Sequence, residues 1–268
     1  MGSPRRSDIS AFVVVLTQKK LATVVTIYRI PAMVLRSAVH DRLLAASPYY
    51  KIKLPAAPPR RLQALTAEQV GDLLEHAPER DYAVLALGVG TGMRQGEVLG
   101  LTLPHLRLLA RELSVEQQCR VVPGGPPEIT DELKTESSRR VLPLPGFAVA
   151  ALARHIELFG LGPQDTLFFS PRGGLWRRGA FNESVWKPAL ERAGLPHAYG
   201  FHSLRHTYAS SLISQGLHPR VIQARLGHKS IVETMDTYGH LFPDANDETT
   251  RALDTHYAAQ LQRPAREA

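Results

Sequence analysis

A short proline-rich stretch constrains the organisation of this chain more than any other feature of its sequence. Three prolines and two arginines lie within residues 55–61. Proline cannot continue a helix and favours an extended backbone, so we expect this stretch to be a stiff, basic linker. It divides the chain into residues 1–54 and residues 62–268, which we predict to be a small and a large domain.

Helical patterns are present on both sides of this linker. Before it, residues 7–46 carry apolar side chains at helical spacing until Ser47 and Pro48 interrupt the pattern. After it, Thr66 can cap a helix with Gln69 reaching back, and apolar residues line one face of the segment that follows. The sequence therefore predicts helices in both domains.

The large domain also contains a glycine-rich turn and a small sheet. A predicted helix around residues 82–87 leads into three alternate glycines that end at Gly92. Because glycine permits a tight turn, we expect Arg94 to start the next helix. From residue 113 to residue 144, short apolar stretches alternate with glycine and proline turns, which is typical of antiparallel strands. The predicted fold class is therefore mainly α with a small antiparallel β-sheet.

The charge balance indicates a polyanionic partner but does not establish one. The 268 residues carry a formal net charge of +7, and the sequence pI is about 9.7. Most of the basic residues are arginines, whose flat guanidinium can donate two parallel hydrogen bonds to a phosphate. The same positive charge could instead serve solubility alone, so the motifs must decide between these interpretations.

Cysteine content and hydropathy both favour a cytoplasmic protein. With Cys119 as the single cysteine, neither an intrachain disulfide nor a cysteine-rich zinc site can form. We expect Cys119 to be a small buried residue without a functional role. The longest apolar run, residues 11–16, is far shorter than the roughly 20 residues that span a bilayer, and no targeting signal is recognisable. No membrane partner is therefore expected.

Four segments carry the residues from which a phosphoryl-transfer site could be built. They read TGMRQGE (91–97), KT (134–135) ahead of SRR (138–140), HSLRH (202–206), and LGH (226–228) followed by TYGH (237–240). Arg94 and Arg205 could neutralise the charge that grows on a phosphate during strand cleavage. His202 and Arg205 are three residues apart and would share a helix face. Tyr238 would end a short helix capped by Ser230, with Glu233 as its capping partner.

In this order, the four segments resemble the catalytic signature of tyrosine recombinases of the phage integrase kind. The resemblance covers roughly residues 62–261 and implies the tyrosine recombinase catalytic fold, preceded at residues 1–54 by part of a helical, SAM-like core-binding domain. It implies cleavage and rejoining of double-stranded DNA through a 3′-phosphotyrosyl link, without a metal, ATP, another cofactor or a small-molecule substrate. It also implies a homo-tetramer on paired DNA sites, with residues 247–260 docking onto a neighbouring protomer.

The resemblance also implies the site residues. The catalytic set is Arg94, Lys134, His202, Arg205, His228 and Tyr238. Tyr238 is the nucleophile, His202 acts on its proton, and Lys134 protonates the leaving 5′ oxygen. Glu97 steadies the first arginine and its histidine neighbour, while His206 is expected to be a packed core histidine.

Residues expected to contact DNA are scattered along both domains. They are Lys19, Lys20, Arg29, Arg36, Arg139 and Arg140. The sequence departs from the family pattern in two places: residues 103–106 stand where an acidic cluster is common, and the first helix of the core-binding domain has no counterpart. We therefore expect a competent active site with an incomplete DNA clamp and weak DNA binding.

Three alternatives compete with this interpretation. The spacing of His202 and His206 could suit zinc, but no glutamate follows His202 and Arg205 would place positive charge beside the metal, so no metal is expected. A non-catalytic DNA-binding remnant would keep the fold and charge without productive assembly. A topoisomerase would use the same phosphotyrosine step, and relaxation of plasmid without paired sites would distinguish it.

Overall fold

The computed structural model divides the chain into two compact units, Met1–Arg61 and Leu62–Ala268. It describes residues 5–16, 21–49, 52, 54, 64–122, 124–133, 135–162, 164–242 and 246–261. The predicted linker at residues 55–61 lies outside the described residues.

The first unit is a pair of helices with a thin core. Helix α1 spans Arg6–Leu16 and helix α2 spans Leu21–His40. The Tyr28 hydroxyl donates a hydrogen bond of 2.8 Å to the Tyr49 carbonyl, which fastens the segment after α2 to the helix. The buried apolar cluster consists of Ile9, Val13, Tyr28 and Ala32. Large apolar side chains on both helices are nevertheless exposed, namely Phe12, Val14, Val15, Ile30, Met33 and Val34.

The second unit is mainly helical with short antiparallel strands. Its helices are α3 (Ala67–Glu75), α4 (Glu79–Thr91), α5 (Gln95–Leu99), α6 (Gly146–Phe159), α7 (Arg178–Phe181), α8 (Lys187–Arg192), α9 (His202–Ser214), α10 (Pro219–Leu226), α11 (Ile231–Tyr238) and α12 (Asn246–Leu261). Its strands are β1 (Leu106–Arg107), β2 (Glu112–Val115), β3 (Gln118–Val121), β4 (Pro127–Thr130) and β5 (Arg140–Pro143). The predicted fold class is confirmed.

The start of this unit follows the predicted capping pattern. The Gln69 amide N–H donates to the Thr66 hydroxyl at 3.2 Å, and the Thr66 amide N–H donates to the Gln69 side-chain oxygen at 3.0 Å. Two of the amide groups that a helix start leaves unpaired are thus satisfied. Leu73, on the inner face of α3, is fully buried.

Helix α4 extends further than the sequence predicted, because two of the three glycines do not end it. Gly88 and Gly90 lie inside it, so the expectation that all three glycines form the turn is wrong for these two. Gly88 is needed for packing, because a Cβ atom there would lie 2.7 Å from Cδ1 of Leu204 on α9. Gly92 alone makes the turn, with the left-handed φ of 59° that favours glycine. Arg94 then starts α5, as predicted.

The strands form two sheets, whereas the sequence predicted one. Strands β1, β2 and β5 make a three-stranded antiparallel sheet, and β3 and β4 make a separate hairpin. Leu113 pairs with Leu142 in the first sheet, and Cys119 pairs with Ile129 in the second. An alternating pattern identifies strands but not their partners, so the division into two sheets could not be read from the sequence.

A smaller apolar cluster packs helices α9, α10 and α11 against one another. Its buried members are Ala209, Ile213, Ile222, Leu226 and Tyr238. Helix α11 begins at the Ser230 cap, whose hydroxyl accepts from the Glu233 amide at 3.4 Å. The Glu233 carboxylate accepts from the Lys229 amide at 3.2 Å, not from Ser230 as predicted. Tyr238 ends the helix as expected, and Gly239 continues into a 3-10 turn with φ of −53°.

Candidate active site

Two of the predicted arginines meet at the carboxyl end of helix α10. Arg94 donates from Nη2 to the Gly227 carbonyl at 3.3 Å, and Arg205 donates from Nη2 to the Leu226 carbonyl at 2.5 Å. Arg205 also donates from Nη1 to the Gly92 carbonyl at 3.0 Å. Adjacent carbonyls at a helix end attract cations, so α10 orients both guanidinium groups.

The two arginines differ in exposure. The Arg94 side chain is 25% exposed, which leaves part of its guanidinium open to a ligand. Arg205 is only 2% exposed. Burial and the neighbouring charge of Arg94 lower the pKa of Arg205 from 12.5 to about 10, so the group stays positively charged at neutral pH.

Glu97 links Arg94 to a third arginine, Arg140. Its carboxylate, 2% exposed, lies 2.8 Å from Arg94 Nη1 and 2.9 Å from Arg140 Nη2. It also accepts from the Arg94 amide N–H at 2.9 Å. Burial alone would raise the pKa of Glu97, but the charges and hydrogen bonds of Arg140 and Arg94 outweigh it and lower the pKa below its usual value. No described contact joins Glu97 to a histidine, so the predicted support of a histidine is not seen.

Arg140 does not lie where a DNA-contacting residue is expected. Its side chain is 6% exposed, and besides Glu97 it donates to the Ser138 and Arg225 carbonyls at 2.8 Å each. A guanidinium with these donors already satisfied has little left for a phosphate. The structure therefore corrects the prediction: Arg140 ties β5 and α10 to Glu97. We call Arg94, Arg140 and Arg205 the arginine cluster.

The two histidines of α9 lie differently with respect to Tyr238. His206 is half-buried and its Nδ1 lies 2.9 Å from the Tyr238 hydroxyl, a contact that the prediction of a packed core histidine did not include. His202 is exposed, and its ring meets the ring of His206 edge-on at a centroid distance of 4.8 Å. Although the His202 side chain reaches solvent, the protein packed around its ring disfavours the charged form and, together with the positive charge of neighbours that include Arg205, lowers its pKa to about 4.

His228 packs against Tyr238 instead of contacting its hydroxyl. The two rings are nearly parallel, at 10°, with centroids 6.4 Å apart. His228 Nδ1 is 2.8 Å from the Thr234 hydroxyl, which fixes the ring's orientation. Burial and the charge of Arg205 lower the pKa of His228 to about 4, so it is neutral at pH 7.

Tyr238 is enclosed and protonated in this arrangement. It is 1% exposed. Burial raises the pKa of its phenol from 10.0 to about 12, although the charge of Arg205 opposes the shift. A phenol with this pKa is a poor nucleophile until a neighbouring group accepts its proton.

The remaining predicted residues fall into two groups. Arg29 and Arg36 are exposed on α2, and Arg139 is exposed while donating to the Asp131 carbonyl at 2.9 Å. Lys19, Lys20 and Lys134 lie outside the described residues. Cys119 is half-buried, and burial raises the pKa of its thiol.

One group next to the site was not anticipated from the sequence. The buried Gln95 side chain donates to Asn182 Oδ1 at 2.9 Å and accepts from Arg178 Nε at 3.1 Å. The exposed Arg178 is thereby held close enough to contribute to the lowered pKa of His202. No motif marks Arg178, because its place depends on Gln95 contacting a residue 83 positions later.

Two kinds of feature are absent from the part of the chain that the structure describes. None of its histidine, cysteine and acidic side chains form a group of three or more that could hold a metal ion. None of its helices combines the length and apolar character that crossing a bilayer requires.

Known proteins resemble this chain in sequence and in fold. Residues 63–244 match the phage integrase family. The chain is 28% identical over 243 residues to the tyrosine recombinase XerC-like protein of Caldanaerobacter subterraneus, with 81% of this chain and 61% of the relative covered. It is 30% identical over 217 residues to tyrosine recombinase XerD of Pseudomonas putida, with 77% and 66% covered.

Solved structures agree on the fold. The Tn1549 transposon integrase, in complex with a circular intermediate DNA, superposes with a TM-score of 0.80 at 21% identity, covering 95% of this chain and 85% of that one. A lambda integrase dimer bound to a core site gives a TM-score of 0.67 at 20% identity, covering 90% and 67%.

A helical catalytic fold with a tyrosine beside clustered arginines and histidines defines the tyrosine recombinase class. The chain belongs to the phage integrase family, since the match covers most of its length. It spans 61% of the length of the XerC-like relative and 52% of a XerD from Corynebacterium glutamicum.

Proposed function

We propose that the chain is a site-specific DNA recombinase in which Tyr238 attacks a phosphodiester and holds the cleaved strand as a 3′-phosphotyrosyl link. The observation that carries this proposal is the meeting of Arg94 and Arg205 at adjacent carbonyls of one helix end, with His228 next in the chain. Tyr238 lies close enough for the charge of Arg205 to act on its pKa.

The charge of this site supports an anionic ligand. The arginine cluster brings three positive charges, of which Glu97 neutralises one. Positive charge that is fixed in a partly buried place stabilises an anion more strongly than it would in water. A phosphate whose non-bridging oxygens gain charge in the transition state is a suitable ligand for Arg94 and Arg205.

The proposed reaction is two successive transesterifications. The Tyr238 oxygen forms a bond to phosphorus while the bond from phosphorus to the 5′ oxygen breaks, and Lys134, by family resemblance, gives that oxygen its proton. The 5′ hydroxyl of another strand then attacks the phosphotyrosine and releases Tyr238. Since each step exchanges one phosphoester for another, the reaction requires neither ATP nor a metal ion.

The proposed partner is double-stranded DNA, held in a homo-tetramer on paired sites in the cytoplasm. The solved integrase and recombinase structures that share the fold include complexes with DNA. Residues that would face DNA are Lys19, Lys20, Arg29, Arg36, Arg139 and Arg178. The first unit would serve as part of a core-binding domain. Leu253, exposed on α12, gives a neighbouring protomer an apolar side chain to cover.

The test is covalent trapping on nicked DNA. The substrate is a pool of duplexes of randomised sequence, each nicked at the same fixed position. Cleavage within a few nucleotides of the nick releases a short fragment and traps the enzyme on DNA. We expect the wild-type protein to form an adduct that survives denaturing electrophoresis. Tyr238→Phe removes the attacking oxygen and should form none, and sequencing the trapped DNA would give the preferred target.

The controls separate catalysis from binding. Tyr257→Phe, an exposed tyrosine of α12, removes a phenol oxygen elsewhere and should leave the adduct unchanged. An adduct from Tyr238→Phe would refute the nucleophile. DNA binding without any wild-type adduct would favour the non-catalytic remnant.

A further inference from the structure

Arg178 is the exposed first residue of helix α7, and a buried residue holds its guanidinium. Its Nε donates to Oε1 of Gln95 at 3.1 Å, and Gln95 is only 7% exposed. The amide nitrogen of Gln95 donates in turn to Oδ1 of Asn182 at 2.9 Å. Because both polar ends of this buried side chain have partners, the orientation of Gln95 is fixed. A guanidinium held in this way loses little further freedom when it binds a ligand.

The contact with Gln95 uses one nitrogen of the guanidinium and leaves the outer edge open. Among the residues that the structure describes, none forms a hydrogen bond or an ion pair with the two Nη atoms of Arg178. Their N–H donors lie in one plane and can bind two oxygens of a phosphate side by side. The outer edge of Arg178 is therefore available to an anion.

The residue that holds Arg178 belongs to the turn that carries Arg94. Arg94 is the N-cap of α5 and Gln95 is the first residue of that helix. Arg94 donates to the Gly227 carbonyl while Gln95 accepts from Arg178. One short turn thus fixes two arginines whose places in the chain are 84 residues apart.

A second contact places α7 beside the start of α9. Phe181, at the end of α7, meets the ring of Phe201 edge-on at a centroid distance of 5.5 Å, and both residues are buried. Phe201 directly precedes His202. The protein packed around the His202 ring and the charges nearby, those of Arg94 and Arg178 among them, lower the pKa of this histidine. The two arginines therefore act on the same small region of the surface.

A DNA strand at this surface brings more than one phosphate. Each strand carries one negative charge for about every 3.4 Å of the helix axis. If one phosphate binds Arg94 and Arg205, the next phosphates along the strand lie close by. An exposed arginine beside Arg94 would then meet one of these neighbours.

We propose that Arg178 binds a phosphate adjacent to the one that Tyr238 attacks, and that Gln95 is the residue that positions Arg178 for this contact. The adjacent contact would fix the strand on one side of the cleaved bond. This inference rests on the proposed recombinase function and adds to it a second, separately anchored phosphate contact.

The first test neutralises the DNA phosphates one at a time. A methylphosphonate replaces a charged oxygen of one phosphate by a methyl group. Such substitutions are placed at each phosphate flanking the cleaved one, in the DNA sequence that the wild type traps. Affinity by anisotropy is then compared for the wild type, Arg178→Ala and Arg154→Ala, an exposed arginine paired with Glu79.

We expect one flanking methylphosphonate to weaken wild-type binding about tenfold, as the loss of a hydrogen bond to a charged group does. Arg178→Ala should weaken binding to unmodified DNA by a similar factor and lower the salt slope by about one. The same methylphosphonate should have no effect on Arg178→Ala, because the contact is already lost. Arg154→Ala should respond like the wild type at every position.

The second test asks whether Gln95 acts through Arg178. Gln95→Met fills a similar volume but offers Arg178 no oxygen, so it should weaken binding by no more than Arg178→Ala does. Combining the two substitutions should cause no loss beyond that of Arg178→Ala alone, whereas independent effects would add. Gln95→Glu keeps an oxygen that can accept from Arg178 and should retain the response to the methylphosphonate. Urea unfolding checks that each variant is folded.

Two results would overturn the inference on an active wild type. If Arg178→Ala remained as sensitive as the wild type at every flanking phosphate, Arg178 would contact none of them. If the combined variant bound much more weakly than Arg178→Ala, Gln95 would act on the fold and not by positioning Arg178. A wild type that forms no adduct would refute the proposed function and this inference together, which distinguishes the two failures.

Discussion

At the scale of single residues, Glu97 holds the site together by meeting two members of the arginine cluster. Its carboxylate contacts Arg94 and Arg140 and is 2% exposed. Removing one member of a buried ion pair leaves the other charge without compensation, which costs far more than an exposed pair contributes. The stability of the second unit should therefore depend on this carboxylate.

Glu97→Gln is expected to lower the free energy of unfolding by about 3–5 kcal/mol at pH 7. Because the folded pKa of Glu97 is lowered, the stability it contributes is fully present above the unfolded pKa of about 4.3 and is lost as the pH falls through the folded value. The difference between wild type and variant should narrow below that pH, as measured by urea unfolding at several pH values.

Glu128→Gln is the control, since Glu128 pairs with Arg120 at a site where both side chains are more than 40% exposed. Glu128→Gln should lower the free energy of unfolding by no more than about 1 kcal/mol. Equal decreases in the unfolding free energy of the two variants would mean that the buried ion pairs of Glu97 contribute no more stability than an exposed pair.

At the scale of elements, the packing of α4 against α9 brings Arg94 and Arg205 together. Helix α4 ends just before Arg94, and α9 carries Arg205. Gly88 lets the two helices approach closely, since a side chain at this position would collide with Leu204 and Phe201. The close packing of these two helices therefore depends on Gly88, a residue without a functional group.

Two glycines inside helices should respond oppositely to the same substitution. Gly88→Ala places a Cβ atom 2.7 Å from Leu204 and should destabilise the protein by about 1–3 kcal/mol. Gly71→Ala, in α3, meets nothing within 4 Å and should stabilise it by about 0.5–1 kcal/mol through the higher helix propensity of alanine. Urea unfolding of both variants measures the difference, and two changes of the same sign would contradict this account of the helix contact.

At the scale of the whole molecule, the two units differ in how much they bury. The second unit has an extensive core, whereas the two helices of the first leave residues such as Met33 and Val34 more than half exposed. A unit with so little burial gains little free energy from folding by itself. We expect this unit to contribute little to DNA affinity.

The Tyr238→Phe protein should therefore bind the DNA sequence that the wild type traps with a dissociation constant above about 10⁻⁸ M at physiological salt, the weak end of specific DNA binding. Affinity should fall steeply with salt, because the expected contacts are arginine–phosphate contacts. Arg29→Ala with Arg36→Ala should lower the salt slope by about two, while Arg154→Ala, an exposed arginine paired with Glu79, should leave it unchanged. Low-nanomolar binding by anisotropy would contradict the expectation of weakness.

Local patterns in the sequence were sufficient for much of the fold. The Thr66 cap, the start of α5 at Arg94 and the end of α11 at Tyr238 were predicted correctly, because caps, turns and helix ends depend on residues close together in the chain. The pairing of strands into two sheets was not, since it depends on contacts between distant segments.

By itself, the sequence determined the family, the helical class and the choice of Arg94, Glu97, Arg205, His228 and Tyr238 as residues to look for, because these follow from residue types at short spacings. Tertiary structure alone decided which histidine contacts Tyr238, which arginine is buried against Glu97, and that Arg178 lies beside the site. Spacing along a helix brings His202 and His206 to one side of α9, but only the position of α11 selects between them. Such choices depend on how separate helices pack, and no local pattern encodes them.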